Sequence, residues 1–157
     1  MAADAWSLYD TFREFLGDGS IDMDDDEFYM ALFLSTSNCN DDTVGDEYGD
    51  LTNEHASQYG YTTGGFHITN TISNANQWLR SVATVKFDSD DAVWNASGGS
   101  IVCRYAVIYD TTPAATPTDP LVCWTTLDNT PLDVTVTTGN SLTVTIHANG
   151  IFTLSGG

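Results

Sequence analysis

Basic residues are almost absent from this chain. Lys86 is the only lysine, and with Arg13, Arg80 and Arg104 it stands against 22 Asp and Glu, for a formal net charge of −18. A surface of that sign repels nucleic acid phosphates and anionic lipid headgroups, which argues against DNA, RNA and membrane partners. Copies of the chain also repel one another, which keeps a protein made in quantity soluble. A basic protein surface or divalent cations remain compatible with the charge.

Other scarcities narrow the choice further. No apolar run approaches the roughly 20 residues of a membrane-spanning helix. Met1-Ala2-Ala3-Asp4 has neither the basic region nor the apolar stretch of a signal peptide, so export through a signal is not expected. Cys39, Cys103 and Cys123 include no C-x-x-C pair, which excludes a zinc ribbon or a redox motif of that type. Cys103 and Cys123 lie within apolar strand patterns and read as small buried hydrophobes. His55, His67 and His147 fall on different elements, without the i, i+4 spacing of a helical metal pair. No G-x-S-x-G elbow, P-loop or dinucleotide fingerprint accompanies them. A glycosidase pair cannot be picked out among so many carboxylates. The expectation is a non-enzymatic protein without a cofactor.

What is present is ordinary globular material. Apolar residues make up 41% of the 157 positions and recur from end to end, so disorder is disfavoured despite the charge. A single domain of this size buries roughly 70% of its extended surface. Near the start, Leu8, Phe12 and Phe15 fall at i, i+4 and i+7, with Ala5 and Leu16 on the same flank. That spacing predicts an amphipathic helix over Asp4–Leu16, capped by Asp4 and stopped by Gly17. Phe28 to Leu34 is a continuous apolar run and reads as a buried strand. From Ser35 to Gly65 the chain is polar, with isolated tyrosines at Tyr48, Tyr59 and Tyr61. A connection this long is expected to be an arm that orders against something else.

The second half is strongly β. Val82–Phe87 alternates, Ile101–Tyr109 is apolar on both faces, and Leu121–Leu127, Leu132–Val136, Leu142–Ile146 and Ile151–Leu154 follow at short intervals. Thr138-Gly139-Asn140-Ser141 and Asn149-Gly150 supply turns, and Thr111–Pro120, with Pro113, Pro117 and Pro120, is expected to be a stiff, exposed connection. Short strands with little helix predict a mainly β, antiparallel sandwich or barrel, jelly-roll-like, with one N-terminal helix. Val85, Phe87, Trp94, Tyr105, Val107, Val134, Val144 and Ile146 are expected inside.

Three features bear on chemistry. The run Asp22-Met23-Asp24-Asp25-Asp26-Glu27 makes Asp22, Asp24 and Asp26 candidate calcium ligands, because hard oxygen donors suit that ion. No EF-hand fits it, since the sixth position is Glu27 and the twelfth Phe33, so solvated charge is the preferred reading. The second acidic loop, Asp41–Asp50, fails the same test. Arg104, within an apolar strand, calls for a carboxylate partner. Trp78, Trp94 and Trp124 suit a core better than a sugar platform.

Taken in order, Phe15-Leu16-Gly17-Asp18-Gly19 leads through Ile21-Asp22 to Met30-Ala31-Leu32, then to Gly60-Tyr61-Thr62-Thr63-Gly64-Gly65. Phe87-Asp88, Val93-Trp94, Arg104-Tyr105-Ala106-Val107-Ile108-Tyr109 and Ala148-Asn149-Gly150-Ile151-Phe152-Thr153-Leu154 complete the pattern. This series resembles small structural proteins of tailed-bacteriophage virions. The resemblance implies a capsid decoration (cement) protein, made in the host cytoplasm and placed on the outer shell of the virion. It further implies contact with the major capsid protein or other virion proteins, a homo-oligomer with a trimer favoured, and no catalytic residues. A tail or head–tail connector component, or a carbohydrate-binding module of a phage fibre, are the alternatives. Candidate interface residues are Trp6, Leu8, Phe12 and Phe15 near the N-terminus and Tyr48, Tyr59 and Tyr61 in the polar segment.

Overall fold

A row of apolar residues long enough to be buried on both sides forms the middle of the molecule. The structure, a computed structural model, describes residues 4–71, 77–113, 116–130 and 132–155. Strand β2 (Phe28–Phe33) pairs antiparallel with β8 (Tyr105–Asp110), which pairs with β9 (Leu121–Thr126). Two-residue strands close the sheet: β1 (Ser7–Leu8) on β9 and β3 (Phe66–His67) on β2, giving the order β1-β9-β8-β2-β3. The remaining strands form small antiparallel sheets. These are β12 (Phe152–Ser155) with β5 (Thr84–Phe87) and β4 (Trp78–Arg80), β11 (Ser141–Val144) with β6 (Ala92–Asn95), and β10 (Val134–Val136) with β7 (Ile101–Cys103). The fold is mainly β, antiparallel and sandwich-like.

Alternation along the central strands sends side chains into two separate cores. Phe28, Met30, Leu32, Ala106 and Ile108 join Phe87, Trp94, Ile101, Leu142 and Ile151 between the central sheet and the small sheets. Ala31, Phe33, Tyr105, Val107 and Tyr109 point the other way, towards Tyr9, Cys39 and Leu121, with Tyr48, Val44 and Leu51 packed over them. The polar segment is therefore the cover of the second face of the sheet. An extended arm was the expectation. Instead it is bridged to the body by Phe33–Glu54 and Glu47–Pro120 pairings and turns once in a short 3-10 helix, Tyr48–Asp50.

The N-terminus departs from the helical pattern. Helix α1 spans Asp10–Asp18, not Asp4–Leu16, with Tyr9 at its N-cap and Gly19, in a left-handed conformation (φ 81°), ending it in place of Gly17. Ser7 and Leu8 are extended because β9 offers them a ladder, Ser7 opposite Trp124 and Leu8 opposite Cys123. Asp4 donates its backbone N–H to Thr126 (2.9 Å) rather than capping a helix. Phe12 is 0% exposed and packs edge-on to Phe152 at 5.5 Å.

Ile101–Tyr109 is likewise not one strand. The chain breaks at Arg104, so that β7 joins β10 in a small sheet while β8 enters the central one. Arg104 keeps backbone bonds to Phe33 and Leu127 (2.8 Å each), and its Nε meets Asp133 at 2.9 Å beside the start of β10. The expected carboxylate partner thus exists, partly exposed, and it ties the corner between two sheets. Of the residues expected inside, Phe87, Trp94, Tyr105, Val107, Val134 and Val144 are buried, whereas Val85, within β5, and Ile146, beyond the end of β11, are only half-buried. In the connection Thr111–Pro120, positions 114 and 115 lie outside the described residues, and Pro120 is buried rather than exposed.

Because Phe12 fixes the helix to the core, Phe12→Ala should cost about 3–5 kcal/mol in urea denaturation. A loss below 1 kcal/mol would place the helix outside the cooperative unit.

Candidate functional site

Aspartates in this chain recurrently satisfy the backbone two residues ahead. Asp18 accepts from the Ser20 N–H (2.9 Å), Asp22 from Asp24 (3.0 Å), Asp41 from Thr43 (2.9 Å), Asp110 from Thr112 (2.8 Å) and Asp128 from Thr130 (3.0 Å). Each is an Asx turn, for which Asp has the right reach and Glu does not. These hydrogen bonds favour the charged form. They hold the carboxyls of Asp18, Asp41 and Asp128 below the usual range. Part of the acidic excess is turn chemistry.

The same turn chemistry runs through the acidic stretch that holds Asp22, Asp24 and Asp26. Asp22 Oδ1 is engaged with Asp24, and Asp26 Oδ2 accepts from the Asp22 N–H at 2.6 Å. Among the described residues no three His, Cys, Asp or Glu side chains gather as a metal set, so the alternating aspartates do not converge on one point. The loop closes on itself through its backbone.

The carboxylate that organises the polar segment is Glu54, which the sequence reading passed over. Its Oε1 accepts from Tyr61 OH (2.5 Å) and from the Gly64 N–H (2.6 Å), and its Oε2 accepts from Tyr48 OH. Tyr61 OH in turn accepts from the Leu32 N–H of β2 (3.0 Å), and Tyr109 OH donates to Gly64 O (2.8 Å). Tyr48 stacks on Tyr109 with centroids 4.2 Å apart. Burial, then the Glu54 carboxylate, push the Tyr48 and Tyr61 hydroxyls far above their ordinary range, so both stay protonated donors. Gly65 completes the corner: at φ +71° a Cβ there would lie 1.8 Å from Met30 O.

Asp110, at the end of β8, is the most constrained acid. It is 0% exposed, its Oδ2 has no donor, and the Asp26 carboxyl faces it. Burial first, and Asp26 second, raise its pKa well above the ordinary carboxylate range towards neutrality.

The sequence-selected interface residues divide. Phe12 and Tyr61 are buried in the core and are not available for docking in this conformation. Trp6, Leu8, Phe15 and Tyr48 are half-buried against the body, and Tyr59 is exposed. Trp6 lines a groove of about 600 Å³ with Val144, Ile151 and Phe152. Trp94 is buried, Trp78 is half-buried beside Phe152, and Trp124 donates its indole N–H to Asp42 (2.6 Å). His55 is buried with Nδ1 against Ala56 O, His67 stacks on Tyr29, and His147 accepts from the Asn149 N–H, so the histidines do not meet. Burial raises the thiols of Cys39 to about 11 and Cys103 to about 12, and keeps them protonated at neutral pH.

Among the described residues, the large apolar side chains that are exposed are Tyr59, Val82, Val93 and Leu132. No family model, curated protein or solved structure matches the chain.

Glu54→Ala should destabilise the protein by about 2–4 kcal/mol in urea denaturation, because two tyrosine hydroxyls and an N–H lose their acceptor. An effect under 0.5 kcal/mol would show that the segment holds without it. Asp110 gives a pH dependence of defined sign. The folded state keeps its proton above pH ~4, where the unfolded chain releases it, so stability falls as pH rises from there towards neutrality. Asp110→Asn should flatten that fall, measured as melting temperature between pH 5 and 8. An unchanged slope would exclude the pair as its source.

Proposed function

We propose that this chain is a non-enzymatic virion structural protein, a capsid decoration protein that binds the outer shell of a tailed-phage head and bridges neighbouring subunits. The supporting observation is an acidic β body whose long polar segment is held by Glu54 and which exposes large apolar side chains, Val82 at a hairpin corner among them. Such a body suits repeated contact with other proteins, in line with the virion resemblance of its segments. Head–tail connector or tail placement uses the same kind of contact. The carbohydrate-binding alternative draws less support, because Trp94 is buried and Trp124 is engaged with Asp42.

Immunogold electron microscopy of the phage particles tests the placement. Label over the outer head is expected, label confined to the tail would favour a connector or tail component, and unlabelled particles would overturn the virion reading. Attachment should also respond to salt. At −18 per chain, crowding copies together concentrates like charge, which salt screens over about 8–10 Å. Retention on particles should therefore rise with monovalent salt. A steady fall across the series would show that countercharge on the partner dominates instead.

A further inference from the structure

The hairpin β4–β5 breaks two rules that the rest of the molecule keeps. Its turn is closed by the Ser81 N–H on Thr84 O (2.8 Å), which puts Val82 and Ala83 at the corners. Gly, Asn and Asp are the residues such corners favour, and elsewhere this chain uses them freely. Here a β-branched apolar residue stands at full solvent exposure, with Val82 at 102%. The apolar face of β5 runs out of the core towards it: Phe87 is buried, Val85 half-buried and Ala83 exposed. Leu154, opposite Val85 on β12, continues that face, and together these residues line a shallow cup of about 340 Å³.

The second departure is in charge. Arg13 meets Asp10 at 3.3 Å, Lys86 meets Asp88 at 2.7 Å and Arg104 meets Asp133 at 2.9 Å. Among the described residues Arg80 alone of the cations has no carboxylate within salt-bridge distance, and it is exposed on the rim of the cup, opposite Val85. In a chain of 22 acids, an unpaired cation beside bare apolar side chains marks a surface complementary to an acidic one.

We infer that the β4–β5 hairpin tip, Arg80 with Val82, Ala83, Val85 and Leu154, docks against an acidic face of a second copy of this chain. Charge complementarity selects that occupant, because the chain carries 22 acids against four Lys and Arg, and the tip holds the one of those four without a carboxylate partner. Tip-to-tip pairing would set Arg80 against Arg80, so the contact is heterologous: the tip of one copy meets a different surface of the next. Such contacts close into rings when the rotation permits. A hairpin tip is far smaller than a standard stable interface, so the contact is weak in solution and gains strength when copies are held side by side. The inference is independent of whether the chain belongs to a virion.

Sedimentation equilibrium of the full chain, from micromolar to millimolar concentration near 0.15 M salt, tests it. Wild-type protein should increase in average mass with concentration. Val82→Asp and Arg80→Glu should each weaken association by about tenfold or more, and Arg80→Lys should retain it. Both positions are solvent-exposed, so melting temperatures should stay at the wild-type value. If either variant fails to fold, Val82→Ser and Arg80→Gln provide the same comparison. A wild type that stays monomeric throughout, or a Val82→Asp or Arg80→Glu variant that associates like the wild type, overturns the proposal.

Discussion

The fold depends on covering both faces of one central sheet, and the two covers differ in kind. The small sheets and α1 bury Phe28, Met30, Leu32 and Ile108 on the first face. On the second face lie Ala31, Phe33, Val107 and Tyr109, and the available cover is a polar segment with few apolar side chains of its own. Glu54 resolves the mismatch. One carboxylate collects Tyr48, Tyr61 and the Gly64 N–H, and Tyr61 links the assembly to the backbone of β2. The Tyr48 ring covers the second face, stacked on Tyr109, while the Tyr61 ring is buried in the first core beside Trp94 and His55, so one carboxylate satisfies hydroxyls from both cores. Tyr9, donating to Cys39 O at 2.6 Å, repeats the device at the other end of the cover.

What the sequence made legible is what local pattern determines. The apolar run of β2, the β-rich second half and most of the core positions follow from alternation and continuity. The misplacements share a cause, which is a partner distant along the chain. Ser7-Leu8 carries a helical spacing and is nevertheless extended, because β9 pairs with it. Arg104 divides an unbroken apolar run because Asp133 and the ends of β2 and β9 hold the corner. Glu54 gave no signal at all, being one acid among many until the fold places two tyrosines on it. Asp110 was hidden as the last residue of a strand. Val82, by contrast, stood in the sequence as an apolar residue at the end of an alternating run, and only its position at a hairpin corner makes it unusual.

The acidic character has two origins with opposite responses to pH. Asx-turn carboxylates such as Asp18, Asp41 and Asp128 are favoured in their charged form, so their contribution is present above the ordinary carboxylate range and disappears as pH falls through their lowered values. Asp110 acts in the reverse sense, because burial beside Asp26 favours its protonated form. The two terms set a stability maximum near pH ~4, where the Asx-turn carboxylates are already charged and Asp110 has not yet cost stability. General repulsion among the remaining acids steepens the decline above it.

The central sheet ends on both sides in strands of two residues, Ser7–Leu8 and Phe66–His67. Edges that short present few free backbone groups in register, too few to template the addition of a foreign strand. A protein packed at high local concentration meets its neighbours constantly, and a long bare edge would convert those encounters into fibrils. Truncated edges leave recognition to side chains, so neighbours can be gained and lost without any chain leaving its own ladder.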